Sequence, residues 1–413
     1  MKPESRGDGL RRGAGAARAA AAILFATAAS AHERFVKHDL KHPLQNEFFG
    51  RWPGHPLALH PSMTRIGLNA FAVLLVFLLV WFARNALVEW VQHFLLIRIG
   101  GRLQRTLHQI ACFVTDRPVR GRVFHTIGEW AVIMFLRSPG LVLMYSATND
   151  SLVMPSYPLD PVSATFFKFA QVVLAVLILT QTALPLCGAM ILGTWFYLIR
   201  WGWMVSVDAL PVLAVAVVYV TSPWHSHKLA ITAMNAAQVR AARIVLGFGF
   251  LALGWLKIYN HNLLAGVADN YPSVMNDPMI KLFSLGSDPA YRREAWIVAF
   301  GMAEVVSGFM LMIGVFTRVW AVMMVFIFTK LMLLDFGWDE IPHIYPIGAL
   351  LAIMFSNELR SGIGFLEERY DRARRQGRMV SAIAGIVGPV FAVAAIVVFP
   401  LLWLMTFLDR SKL

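Results

Sequence analysis

The sequence predicts an all-α membrane protein, a polytopic helical bundle of about ten transmembrane helices. Hydrophobic residues make up 58% of the 413 positions and are spread over the whole chain. Apolar runs long enough to cross about 30 Å of hydrocarbon recur along it. The basic residues, which give a net charge of +13, fall in clusters between those runs. Membrane topology explains such clusters, so the charge does not indicate a nucleic-acid-binding protein.

Residues 1–31 have the composition of a secretory signal peptide. Basic positions precede a short apolar stretch at 19–28, and Ala29-Ser30-Ala31 fits the rule of small residues at a cleavage site. An uncleaved first helix is the alternative. Residues 32–65 then form an exported arm that is rich in histidine.

Cleavage after Ala31 would make His32 the N-terminal residue, whose amine and ring can chelate a metal together. Imidazole nitrogens suit copper(II), so His32, His38 and His42 are candidate metal ligands with copper as the metal. The spacing of these histidines matches no metal motif, and a solvated polar arm is the alternative.

Residues 66–222 are predicted to form an N-terminal five-helix membrane region. Its spans are 66–82, 126–145, 166–184, 186–203 and 209–221. The loop between the first two spans carries seven arginines and is therefore cytoplasmic. Within it, residues 87–99 have the pattern of an amphipathic surface helix, and an ordinary connecting helix is the alternative. The run Arg137-Ser138-Pro139-Gly140 predicts a kink or break in the second span.

Residues 223–357 are predicted to form a four-helix membrane unit with spans at 241–257, 294–315, 319–334 and 344–355. A basic cytoplasmic loop (358–379) and a C-terminal span and tail (380–413) follow. Ten crossings place both arginine-rich loops in the cytoplasm. The mature N-terminus and the C-terminus are then periplasmic, in a bacterial inner (plasma) membrane.

Charged residues inside membrane spans are costly and tend to find partners in the bundle interior. Glu304, Lys330 and Arg137 are the candidate intramembrane polar residues. Glu304 is expected to pair with Lys330 or another cation, or to stay protonated. Arg318, at the inner turn, is expected to be a topology anchor.

A second group of polar residues is predicted at the outer ends of the same helices. It consists of Lys257, His261, Asp335, Glu340 and His343. Such residues suit a metal site or a polar pocket for a quinol head group. The alternative is that they are interfacial side chains reaching for water.

The four-helix unit resembles the DoxX family of small membrane proteins over residues 241–355, about a quarter of the chain. The matching residues are Arg243, Gly247, Gly254, Lys257, Ala303-Glu304, Gly308 and the turn Gly314-Val315-Phe316-Thr317-Arg318. Such families include a subunit of an archaeal thiosulfate:quinone oxidoreductase and subunits of oxidative-stress complexes. The resemblance implies a place in membrane redox metabolism without fixing a reaction.

Three functions are therefore expected. The first is a DoxX-like subunit of a redox system that binds quinone or a periplasmic electron-transfer partner at its outer face. It is expected to have no tightly bound cofactor, and the sequence identifies no catalytic residue. The second is copper handling by the His-rich arm, and the third is small-solute transport past Glu304, Lys330 and Arg137. Besides the lipid bilayer, other membrane or periplasmic subunits are the expected partners. Cys112 and Cys187 lie too far apart in sequence to suggest a thiol relay.

Overall fold

The computed structural model describes residues 61–91, 102–152, 161–198, 209–224, 231–259, 272–335, 343–359 and 361–363, with a few single positions besides. These parts of the chain form eleven α-helices and no β-strand. The all-α class is thereby confirmed. The predicted signal peptide, the His-rich arm up to residue 60 and the C-terminal span lie outside the described residues.

Six helices belong to the first half of the chain. They are α1 (Pro61–Val91), α2 (Arg102–Val114), α3 (Arg122–Thr148), α4 (Pro161–Leu179), α5 (Leu184–Leu198) and α6 (Leu210–Val220). The second half contributes α7 (Ala236–Tyr259), α8 (Pro278–Phe283), α9 (Arg292–Ile313), α10 (Thr317–Lys330) and α11 (Ile344–Met354). Two 3-10 turns (Pro272–Asn276 and Pro289–Tyr291) precede α9, and a π turn (Leu331–Asp335) continues α10.

Among the described residues, four helical stretches are long and apolar enough to cross a membrane. They are Thr64–Arg84, Arg122–Thr148, Ala236–Ile258 and Pro289–Ile313. By contrast, α6 and α11 have 11 residues each, which at about 1.5 Å per residue reach roughly half of the hydrocarbon core. An integral membrane protein is thus confirmed, whereas the count of ten crossings stays a prediction.

The predicted break in the second span is not present. Helix α3 runs without interruption from Arg122 to Thr148, with Pro139 inside it. Around Pro139 the helix is buried, and Gly140 packs closely on α4. Because neighbouring helices can accommodate a proline inside a membrane helix, Pro139 does not end α3.

A tight turn makes α9 and α10 antiparallel. Gly314 adopts the left-handed conformation (φ 72°) at the end of α9, and the Val315 N–H donates to Met310 O at 3.1 Å. This is the Schellman arrangement, which favours glycine. Phe316 is also left-handed (φ 49°), and α10 starts at Thr317. The bundle end at this turn is termed the inner end, and the end at residues 272–291 the outer end, following the predicted topology.

Helices α7 and α9 pack through two pairs of glycines. Gly247 lies opposite Gly308, and Gly254 lies opposite Gly301, so each helix presents a glycine every seven residues. A Cβ atom added to Gly254 would lie 2.4 Å from the carbonyl oxygen of Gly301. Small residues let membrane helices approach this closely, and such packing is a main source of helix association in lipid.

The first half of the chain packs directly on the four-helix unit. Near the outer end, the Asn69 amide of α1 donates to Phe283 O at 2.9 Å. Near the inner end, the Trp81 ring of α1 meets the Phe316 ring at 5.0 Å. Helix α3 packs along α11, and the Tyr219 hydroxyl of α6 donates to Leu136 O at 2.8 Å. One continuous apolar core therefore joins the two halves in the described residues.

The glycine contacts predict a sharp packing penalty. We expect Gly254→Ala to destabilise the protein by about 1–3 kcal/mol, because the new methyl group has no room between α7 and α9. Thermal unfolding in detergent measures the effect. The matched control is Gly193→Ala on α5, where an added Cβ meets nothing within 4 Å. The control should be neutral or slightly stabilising, and equal effects at both positions would contradict the packing argument.

Candidate functional site

An ion pair joins α7 and α9 inside the bundle. Lys257 Nζ lies 2.7 Å from Glu304 Oε1, and the side chains are only 17% and 4% exposed. Side chains lean toward the N-terminus of their own helix, so in an antiparallel pair these two lean toward each other. Gly254 keeps the helices close here, since an added Cβ would lie 2.9 Å from the Cβ of Glu304.

Two aromatic rings lie between this pair and the outer end. The Lys257 ammonium sits 4.8 Å from the centroid of the Phe300 ring, a cation–π distance. The Phe300 and Trp296 rings are 5.3 Å apart. The Trp296 indole N–H donates to Val274 O at 3.1 Å, which ties α9 to the first 3-10 turn. The charged pair therefore has an aromatic wall on its outer side.

A second ion pair closes the outer end of α10. Lys330 Nζ lies 3.8 Å from Asp277 Oδ2, and Asp277 is buried. The other carboxylate oxygen of Asp277 accepts the Ile280 N–H at 3.2 Å, at the start of α8. Close by in sequence, the His343 ring stacks on Phe328 of α10 at 4.8 Å between centroids. Lys330 is therefore held by Asp277, and His343 by Phe328 of α10, both near the outer end.

These contacts revise the predicted grouping of polar residues. Glu304 pairs with Lys257 rather than with Lys330, and Lys330 pairs with Asp277. Lys257, which the sequence grouped with the outer-face residues, is thus the partner of the intramembrane acid. Arg137 is half-buried on α3, which packs mainly on α4 and α11.

The remaining predicted site residues are not placed. His261, Glu340 and the histidines His32, His38 and His42 lie outside the described residues, as does the side chain of Asp335. Within the described ranges, no three His, Cys, Asp or Glu side chains come together as a metal site. The composite outer pocket and the metal site therefore stay predictions.

The inner end is organised by the Arg318 guanidinium, which is fully buried. It donates to Met354 O (2.9 Å), Arg117 O (2.6 Å) and Ser356 O (2.6 Å). Longer bonds reach Cys112 O and the Asn357 side chain, both at 3.3 Å. This burial gives Arg318 a structural role that the sequence did not predict, whereas its role as a topology anchor stays a prediction.

Asp116 caps the other side of the same turn. Its carboxylate accepts the Thr317 N–H at 2.5 Å and the Arg318 N–H at 2.9 Å, at the first residues of α10. A carboxylate at this place accepts hydrogen bonds from N–H groups that lack partners within the helix. Its negative charge also interacts favourably with the positive end of the helix dipole. We term Asp116, Arg318, Asn357 and their hydrogen-bond partners the inner knot.

Sequence reasoning missed three residues that complete these contacts. All three lie in turns outside the predicted spans. Asp116 is 201 positions from its partner Thr317, Asp277 is 53 from Lys330, and Asn357 is 39 from Arg318. A single acid or amide in a turn has no local pattern that names its partner. The only signal was that the charged side chains of Arg318 and Lys330 each needed a polar partner.

Comparison with known families gives one match. Residues 239–334 match the model of the DoxX family. We term this range the DoxX segment. It covers α7 to α10 and ends before α11, so it is shorter than the four-helix unit that the sequence predicted. No curated protein and no solved structure matches the chain.

The residues that carried the resemblance now have physical roles. Gly247, Gly254 and Gly308 make the close contacts of α7 with α9, and Gly314 ends α9. The buried Arg243 side chain lies against Gly314, where any Cβ would overlap the guanidinium. Lys257 and Glu304 form the ion pair, and Arg318 forms the inner knot. The DoxX segment thus combines close helix packing with a partly buried ion pair and the buried Arg318 guanidinium.

The ion pair predicts a double-mutant cycle. We expect Lys257→Met and Glu304→Gln each to destabilise the protein by about 3–5 kcal/mol, because each leaves the other buried polar group without its partner. The double variant should lose clearly less than the sum of the two, as measured by thermal unfolding in detergent. Lys168→Met, which removes an exposed ion pair with Asp150, is the control and should cost at most about 1 kcal/mol. Additive losses would contradict a direct interaction.

The inner knot predicts a pH dependence. Burial raises the pKa of Asp116 from its ordinary value of 3.8 to about 6, against the opposing effect of its two N–H donors and of Arg318. A raised pKa in the folded state means that protonation favours folding, and this contribution is lost as pH rises through 6. The melting temperature of the wild type minus that of Asp116→Asn should therefore increase as pH falls from 7 to 4. A constant difference, or a decrease, would contradict the raised pKa.

Proposed function

We propose that this protein is an integral membrane subunit of a redox system that binds a quinone near the outer end of its DoxX segment. The proposal places it in a bacterial inner membrane with that end toward the periplasm. Electrons then pass between the bound quinone and a redox centre on a periplasmic partner protein. The DoxX match supports the family part of this proposal, and the ion pair supports the quinone part.

The single observation that carries the proposal is the pair of the buried Glu304 with the partly buried Lys257, beside Phe300 and Trp296. Ionisable residues at membrane depth are functional candidates by default, because their burial is costly. A quinone head group is flat and carries two carbonyl oxygens. Aromatic rings suit its face, and an ammonium suits a carbonyl oxygen.

The same residues suit the protons of the reaction. A quinol that is oxidised to a quinone loses two electrons and two protons. In our proposal the Glu304 carboxylate accepts the two quinol protons one after the other and releases each to water at the outer end, while Lys257 holds the quinol oxygen. The two electrons leave to the partner. Asp277, at the outer end, is the next carboxylate toward the periplasm among the contacts described above.

No structural observation favours the two alternatives over this proposal. The copper-handling alternative depends on His32, His38 and His42, which lie outside the described residues. The transport alternative used a broken second span, and α3 is continuous. Docking of a periplasmic electron-transfer partner without a quinone becomes an outcome of the experiment below.

The test is labelling with a photoreactive quinone. The full chain is reconstituted in lipid vesicles, labelled, and digested for mass spectrometry. We expect label on the outer halves of α7 and α9, in competition with unmodified quinone. Lys257→Met should lower the affinity for the competing, unmodified quinone about tenfold. This corresponds to the loss of a charged hydrogen bond of about 1.5 kcal/mol.

Two controls make the result decisive. Lys168→Met removes a lysine on α4 and should leave labelling unchanged, whereas Lys257→Arg keeps the charge and should retain most of the binding. Label spread evenly over lipid-facing helices, or equal labelling of all variants, would overturn the quinone site. Co-purification of a periplasmic redox protein in that case would leave docking as the remaining role.

A further inference from the structure

Helix α2 at the inner end is strongly amphipathic. Cys112 and Phe113 face the protein, where Cys112 is buried and the Phe113 ring lies 5.6 Å from the Arg318 guanidinium. On another face, Ile110 and Val114 are 52% and 40% exposed. Apolar residues one turn apart on an exposed helix face indicate contact with something other than water.

The neighbouring membrane helix indicates what covers them. Exposed apolar residues recur along α3 at Val123, Ile127, Trp130 and Met134. Their spacing of four, three and four residues is that of one helix face, and α3 is long enough to span a membrane. Since α3 begins at Arg122, only a short turn after α2, the exposed face of α2 lies at the boundary of the same lipid surface.

Exposed arginines lie on a second side of α2, away from Ile110 and Val114. The Arg120 N–H donates to the Gln109 side chain at 3.0 Å, and Arg105 lies one helical turn before Gln109. This contact brings Arg105 and Arg120 to one side of α2, with Arg122 two residues further along. All three side chains are exposed.

Few acids compensate these arginines. The only acids between residues 102 and 129 are Asp116 and Glu129. Asp116 is occupied by the first N–H groups of α10, and Glu129 lies 3.7 Å from His125. Residues 102–129 therefore carry net positive charge next to the exposed apolar side chains of α2 and α3.

We propose that this surface binds the head groups of anionic phospholipids in the inner leaflet. Arg105, Arg120 and Arg122 hold the phosphate groups, and Ile110 and Val114 lie among the acyl chains. Arginine suits phosphate because its planar fork donates two hydrogen bonds. An acidic cytosolic protein would match the charge but not the apolar residues that continue the lipid face of α3.

The bound lipid is coupled to the DoxX segment through the inner knot. The Cys112 and Arg117 carbonyls, at the end of α2 and in the turn after it, accept hydrogen bonds from Arg318. A lipid that holds α2 against the membrane therefore also holds the acceptors of Arg318. Anionic lipid should thus stabilise the whole bundle, whatever reaction the protein serves.

The test is the thermal unfolding of the full chain in detergent with added lipid. Phosphatidylglycerol should raise the melting temperature of the wild type by several degrees, and phosphatidylcholine should not. In Arg105→Gln/Arg120→Gln the shift with phosphatidylglycerol should fall to less than half. Lys168→Gln/Lys281→Gln, which removes two positive charges from the outer end, is the matched control and should keep the full shift.

Each other result counts against the proposal. Equal shifts with both lipids would show that charge plays no part. A full shift in the arginine variant would place any anionic site elsewhere. If the double variant does not fold, Arg122→Gln and Ile110→Ser/Val114→Ser are compared in its place, and an unchanged shift in both would overturn the site. Loss of a captured acidic cytosolic protein from the arginine variant, with the lipid shift intact, would assign the surface to that protein.

Discussion

The buried Arg318 guanidinium is the interaction on which the inner end of the bundle depends. Its acceptors include one carbonyl in the last turn of α2, which also accepts the Arg117 N–H, and the last carbonyl of α11. Helix C-termini carry partial negative charge, so a cation suits the place where two of them converge. Asp116 provides the opposite charge where α10 begins. The positive Arg318 thus lies at the negative ends of α2 and α11, and the negative Asp116 lies at the positive end of α10.

The outer half of the DoxX segment depends on a different constraint, the close approach of α7 and α9. The glycine pairs set the separation and the register of the two helices. That register lets the Lys257 and Glu304 side chains, which start on either side of the Gly254–Gly301 contact, lean toward each other and meet. Burial then strengthens their attraction while making either charge costly alone. Packing and electrostatics are therefore linked, because the ion pair forms only at the distance that the glycines allow.

The DoxX segment does not satisfy its own polar groups. Arg318 and the first N–H groups of α10 belong to it, whereas Asp116, Met354, Ser356 and Asn357 lie outside the matched range. Helix α1 also packs on the turn of the segment through Trp81 and Phe316. The surrounding helices thus supply hydrogen-bond partners and apolar cover in one shared core.

The sequence by itself determined the helical class, the apolar helices and the charged residues that needed partners. It did so because these properties are local. The hydropathy of a helix is set by consecutive residues, and the left-handed turn at Gly314 depends on that glycine itself. It also showed that Lys257 and Glu304 belong to one unit, through the DoxX resemblance.

Only the tertiary structure decided which charges meet. Lys257 joins Glu304, Lys330 joins Asp277, and Asp116 caps α10 from 201 residues away. The continuity of α3 through Pro139 was likewise decided by the helices packed around it. These outcomes depend on the register and separation of packed helices. Register follows from contacts between distant segments, which no local pattern of residues contains.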